Sequence, residues 1–163
     1  MAEPRGIGDH GAIGNLETIA LVDTKGSVDY LCWPCLDSPS VFAGLLDTDK
    51  GGEFSITPDM PGGRIVQMYL PDTNILLTRW MSDAASIDLV DLMPVDVDGG
   101  DVSSRLIRRL TCTRGEATLR IRCAPRFDYG RQGYAASAET RDGVSRGQFD
   151  HGAGLGLTLY ADG

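Results

Sequence analysis

The side chains here that could do chemistry are four cysteines, two histidines and a broad scatter of carboxylates, and spacing limits what each can do. Cys32-Trp33-Pro34-Cys35 is a C-x-x-C, the spacing of a redox dithiol or of half a zinc site. A redox pair draws its low thiol pKa from a helix N-terminus, and the next helical signal here starts only at Ser38. A second zinc half needs two cysteines about two to four residues apart. Cys112 and Cys123 have ten residues between them and fall on separate expected strands. All four are therefore expected to be reduced thiols packing as small apolar side chains, with no metal and no cofactor.

The carboxylates are many but poorly arranged for glycosidic cleavage, which needs an acid and a second carboxylate at a fixed separation. The five glutamates, Glu3, Glu17, Glu53, Glu116 and Glu139, sit in no catalytic pattern. Asp88 and Asp91 share an expected strand but point to opposite faces, so both are expected to be solvated or to cap turns. His10 and His151 lie beside glycines in expected loops. Without a G-x-S-x-G elbow, nothing places either in a nucleophilic triad. Gly6, Gly8, Gly11 and Gly14 precede no βαβ unit and so form no phosphate-binding loop. No catalytic residue is expected in this chain.

Two aromatic clusters have the composition that grips a sugar ring. Tyr30, Trp33 and Phe42 surround the turn 33–39, and Arg126, Phe127, Asp128, Tyr129 and Arg131 form the second. The expectation is nevertheless that these aromatics fill the core and that Arg126 and Asp128 pair within a turn. Arg105, Arg108, Arg109, Arg120 and Arg122 alternate with apolar residues on two strands expected to be adjacent, which reads as a solvated face paired with nearby acids.

The elements that must position these groups read almost entirely as strands. Period-two alternation marks Thr18 to Val22, Ser27 to Trp33, Phe54 to Thr57, Arg64 to Leu70, Ile75 to Trp80, Ile87 to Met93, Leu106 to Cys112, Ala117 to Cys123 and Leu155 to Leu159. About eight to ten such strands imply an all-β antiparallel sandwich or barrel. One short helix is expected over Ser38 to Leu46, with Ser38 as cap and Pro39 at the first helical position.

At 163 residues the chain is one domain's worth of core. A net charge of -8 argues against nucleic acid and against an anionic membrane surface. The first residues contain no apolar signal-like stretch, and nothing approaches the ~20 apolar residues of a membrane span. A cytoplasmic location is expected.

Four ordered segments are specific together: Ile7 to Asp47 (IGDHGAIGNLETIALVDTKGSVDYLCWPCLDSPSVFAGLLD), Tyr69 to Trp80 (YLPDTNILLTRW), Ile87 to Pro94 (IDLVDLMP) and Cys123 to Arg131 (CAPRFDYGR). The chain resembles the opening of the bacterial family 15 glycoside hydrolases, the glucoamylases and the trehalases related to them. The resemblance implies that residues 1–163 are an N-terminal β-sandwich domain set before a helical (α/α) barrel. That barrel would carry the acid and base that hydrolyse an α-glucosidic bond, and this chain alone would be inactive. Its implied partner is the barrel of the same parent chain. A second reading, a stand-alone carbohydrate-binding module, would take glucan or trehalose. The resemblance implies further that Trp33, Asp37, Ser38, Arg126, Asp128 and Tyr129 border the substrate pocket or touch the barrel. Cys35 stands where the family usually has a basic residue, and His10 where it more often has an aromatic one. Because the family's sandwich generally runs further, the last strands are expected to be missing, leaving an open sheet edge that could pair with a second chain.

Overall fold

Alternating apolar residues become strands nearly everywhere the sequence asks for them. The computed structural model describes residues 6–95, 105–152 and 156–162. In chain order the strands are β1 (His10–Gly14), β2 (Ile19–Asp23), β3 (Ser27–Cys32), β4 (Ser40–Ala43), β5 (Glu53–Pro58), β6 (Arg64–Tyr69), β7 (Leu76–Met81), β8 (Ser86–Leu92), β9 (Ile107–Arg114) and β10 (Leu119–Ala124). A four-residue helical turn, α1 (Phe127–Gly130), precedes β11 (Ala135–Arg141), β12 (Val144–Asp150) and β13 (Gly156–Ala161). All pairings are antiparallel.

Three sheets result. The first runs β1-β2-β3-β5-β10, with β4 also on β3; the second runs β6-β7-β8-β9; the third runs β11-β12-β13. Ile13, Val28 and Leu31 of the first sheet share one core with Leu76, Trp80 and Leu89 of the second. This is the expected all-β antiparallel sandwich. Burying each such side chain contributes about 1.5–3 kcal/mol. Strand β3 is buried on both faces except at Tyr30, and β2 occupies one of its edges while β5 and then β4 occupy the other.

Side chains also stitch the two sheets together at β1, whose outer edge would otherwise lack partners. The Tyr69 hydroxyl accepts from Ala12 N at 2.7 Å and donates to Ala12 O at 2.9 Å. Asn74 Nδ2 donates to Gly14 O at 2.8 Å, and at the end of β2 Gln67 Nε2 donates to Asp23 O at 2.8 Å.

Several expectations are corrected. The segment read as a helix from Ser38 is instead strand β4, buried at all four residues. Val41 and Phe42 suit a pleated, enclosed position, and Leu31 pairs with Phe42. Ser38 caps no helix; its hydroxyl accepts from Cys35 N at 3.1 Å and closes a turn. Short helical elements lie instead at Ile7–Asp9, a 3-10 turn, and at Phe127–Gly130, where Asp128 and Tyr129 adopt left-handed φ of 50° and 56°.

The arginine stripe is not one solvated face. Its two strands fall in different sheets, β9 beside β8 and β10 beside β5. Arg108 is buried, with its side chain 3% exposed, and pairs with the fully buried Asp91 at 2.8 Å. It also donates to Phe54 O at 2.6 Å and to Gly26 O, so it bridges the sheets. Asp91 is thus neither solvated nor a turn cap. Asp88, on the opposite face, makes a two-pronged pair with Arg79 at 2.6 Å. Arg105, Arg109, Arg120 and Arg122 are exposed as expected.

Candidate functional site

The strand-to-strand turn 33–39 and the α1 turn approach each other from different parts of the chain. Leaving β3, the backbone passes a cis Trp33-Pro34 bond and returns to β4 with Trp33 N donating to Pro39 O at 3.4 Å. From the other side Arg126 N donates to Val41 O at 2.8 Å, pinning the start of α1 to β4. Tyr129 N then donates to the Ser40 hydroxyl at 2.8 Å. These bonds hold two consecutive non-glycine residues in left-handed backbone, each costing about 1–3 kcal/mol.

Between the turns lies a cavity of about 240 Å³. Trp33, Val41, Phe127 and Leu157 supply apolar walls, while Ser40, Asp128, Gln132 and His151 supply the polar groups. Phe127 is buried and anchors an aromatic chain: its ring meets Tyr134 edge-on at 5.9 Å, and Tyr134 meets Phe149 at 5.6 Å. That chain seats the third sheet on the core. The His151 ring lies against Phe127 at 4.8 Å.

Of the six residues singled out from sequence, the structure brings Trp33 and Asp128 to this cavity. Tyr129 sits beside it through Ser40. Its hydroxyl lies 3.9 Å from Cys32 Sγ, which donates to the Tyr30 hydroxyl at 3.5 Å. That thiol contact, with burial, raises the Tyr30 pKa. Arg126 faces Tyr134 instead, donating to its hydroxyl at 3.2 Å. Asp37 and Ser38 lie on the outer side of their turn and do not line the cavity. The expected Arg126–Asp128 pair is not the one formed; Asp128 meets Arg131 at 3.8 Å. Nor do all these aromatics fill the core: Phe42 and Phe127 do, whereas Tyr129 is 43% exposed. Gln132 and Ser40 escape sequence reasoning, and His151 enters it only as a triad candidate, because no local pattern announces residues that only long-range closure brings together.

The cysteines are free thiols, as expected, but only Cys32 is fully packed. Cys35 and Cys112 are exposed, which corrects the packing expectation for both. Cys123 is partly enclosed, and its burial pushes the thiol up to about 12, with Arg108 opposing. Among the described residues no group of three or more His, Cys, Asp or Glu could hold a metal ion. His10 is not in a loop either. It opens β1, buried, with Nε2 3.0 Å from Asp29 Oδ2 and Nδ1 3.0 Å from Gly6 O. Its second nitrogen thus meets a main-chain carbonyl where a triad would need a hydroxyl.

The family model described as trehalase-like, N-terminal, matches residues 2–149. Trehalase 1 of Sulfolobus acidocaldarius is 42% identical over 120 residues, covering 74% of this chain and 19% of that protein. A trehalase of Mycolicibacterium smegmatis is 32% identical over 140 residues, covering 77% and 21%. Trehalase 2 of S. acidocaldarius is 32% identical over 155 residues, covering 94% and 24%. No solved structure matches significantly. The chain spans about a fifth of the length of these relatives. With an all-β sandwich and a family match over nearly its whole length, this chain belongs to the trehalase-like N-terminal domain family.

Proposed function

We propose that this domain is the non-catalytic N-terminal part of a family 15 glycoside hydrolase-like parent, and that it packs against and supports the barrel in which an α-glucosidic bond is hydrolysed. The observation that carries this reading is coverage. The relatives named trehalase match this chain over most of its length, yet it accounts for only about a fifth of theirs. Trehalose is accordingly the first substrate to try on the parent.

The chemistry of the site supports the same reading. The cavity between the turns holds one carboxylate, Asp128, where glycosidic cleavage uses two. Asp88, Asp91 and Glu53 are committed to Arg79, Arg108 and Arg122. Asp59, Asp83 and Glu116 line an open surface groove, each exposed, without the enclosure that a general acid relies on.

The barrel-facing surface in this reading is the turn carrying Trp33, Asp37 and Ser38, with Arg126, Asp128 and Tyr129 beside it. Leu16, Ile19 and Leu36 stand exposed around that turn, and Leu36 N donates to Glu17 O at 3.0 Å, which joins the two loops into one surface. A cytoplasmic location completes the reading, in keeping with four free thiols. Co-expressing the domain with the remainder of its parent tests the support role. The account expects a complex on size exclusion, and a remainder that aggregates or loses yield when made alone. Two parts that elute separately, each soluble, would remove it.

A further inference from the structure

The strands at the margins of the three sheets are β1 and β10, β6 and β9, and β11 and β13, with β4 off the main path. A marginal strand pairs readily with a foreign one unless something guards it. The Tyr69 and Asn74 side chains take up outer groups of β1, and Arg126 N holds Val41 O of β4. Arg64 sits on β6, Arg109 on β9, Arg120 on β10, and both Glu139 and Arg141 on β11. Strand β13 has no such guard. Its residues, Gly156–Ala161, include no charge and no proline. Among the described residues it pairs only with β12. We infer that β13 is a self-pairing edge through which two copies of this chain join about a two-fold axis, an interaction surface beyond the support role and independent of it.

Sequence symmetry selects a second copy as the occupant. Leu157-Thr158-Leu159 reads the same in both directions around Thr158. An antiparallel partner with Thr158 opposite its own counterpart therefore sets each Leu157 against a Leu159. Apolar and Thr–Thr cross-strand pairs are both favourable contacts. A slip of one residue would set the leucines against the solvent-facing side of the partner strand, so the register is fixed. Leu157 and Leu159 are half-buried where they pack against the core, while Thr158 and Tyr160 face solvent. A second copy extends the apolar face across the axis and covers the open flank of both leucines. It also supplies partners for the outward main-chain N–H and C=O groups of β13.

Charge favours the same closure. The neighbouring ion pair, Arg146 with Glu139 at 3.4 Å, belongs to β12 and β11. Joining β13 to β13 thus brings neutral strand against neutral strand and strips no ion of its water. Two three-stranded sheets become one of six, with the charged β11 strands at its ends. Both copies use the same patch, so growth stops at two.

Size exclusion with light scattering tests this, with reductant present so that the exposed Cys35 and Cys112 cannot bridge copies. With rising concentration the mass is expected to climb from 17.5 kDa toward twice that value and stop there. T158K sets two ammonium groups against each other across the axis and leaves the core untouched; it is expected to weaken association by about tenfold or more. R141A, on the β11 edge, is expected to leave association unchanged. Amide exchange read by mass spectrometry needs no variant: β13 peptides should slow as concentration rises, and β11 peptides should not. A single-copy mass at millimolar concentration, or a mass that climbs past two copies through β13–β11 pairing, would overturn the assignment. So would β13 exchange that ignores concentration, or a folded T158K that associates like the unmodified chain.

Discussion

Asp91 on β8 and Arg108 on β9 are direct cross-strand partners, and their side chains meet at 2.8 Å with almost no exposure to solvent. Arg108 continues past the pair, lying over the Phe54 ring at 4.7 Å and donating to Phe54 O at 2.6 Å. One guanidinium thus ties the second sheet to the first. Removing one member of a buried pair leaves the other charged and unpaired, which costs about 3–5 kcal/mol. R108M should lose stability of that order in urea. R108K should recover little, because an ammonium cannot reproduce the planar fork. A change below about 1 kcal/mol for R108M would mean the pair is peripheral.

The same carboxylate sets a pH dependence. Burial raises the Asp91 pKa above its ordinary 3.8, with Arg108 pulling in the opposite direction. A raised pKa means that the folded state holds the proton more tightly than the unfolded chain does. Its contribution to stability is therefore complete below 3.8 and is lost as pH rises through the raised value. Urea midpoints at several pH values should show the parent chain gaining on D91N as pH falls from about 7 toward 4. A parent chain that loses ground to D91N on acidification would reverse the sign.

Thiol reactivity should sort by burial. Cys35 and Cys112 are exposed, Cys32 is buried, and Cys123 is pushed up to about 12 by burial. At pH 8 only about one Cys123 in ten thousand is thiolate, the reactive form. Iodoacetamide followed by mass spectrometry should label Cys35 and Cys112, leaving Cys32 and Cys123 until urea is added. The ordinary thiol value is 9.0, so the Cys123 contribution to stability stays whole below pH 9 and erodes as pH climbs toward 12. Early labelling of Cys123 in the folded protein would contradict its enclosure.

Backbone closeness makes Gly51 hard to replace. A Cβ at Gly51 would run into the Ala43 carbonyl and the Gly44 nitrogen, and neither can retreat, since Ala43 N donates to Gly51 O at 2.8 Å. G51A should cost about 2–3 kcal/mol. Gly133 has open space around it, so G133A should fall within about 0.5 kcal/mol of the parent. Thermal melts of the two variants side by side check this; equal melting temperatures would refute the packing at β4.

What could be read in advance follows from where the information lies. Strands such as β7 and β8 carry their apolar stripe in consecutive residues, so Ile75 to Trp80 and Ile87 to Met93 are legible at once. Strand β4 was not. Its Ser38-Pro39 lead imitates a helix start, and only the enclosing neighbours β3 and α1 decide otherwise. Strands β1, β11 and β12 have glycine, alanine and serine where a stripe would be, and β11 is exposed along its whole length. Arg108 was misplaced because alternation alone assigns an arginine to the solvent side; its burial depends on Asp91 and on the carbonyls of Phe54 on β5 and Gly26 in the turn between β2 and β3. For the cavity, sequence supplied Trp33 and Asp128, while His151 came from a segment with no pattern of its own.

In the proposed reading the chemistry lies outside these 163 residues. Glucose release from trehalose, measured for the purified chain alone, for the remainder of its parent, and for the two made as one polypeptide, tests it most directly. The account predicts none from the chain alone, a weak or unstable rate from the remainder, and full activity from the whole. Turnover by the isolated chain, or a remainder that is fully active and stable without it, would contradict the claim.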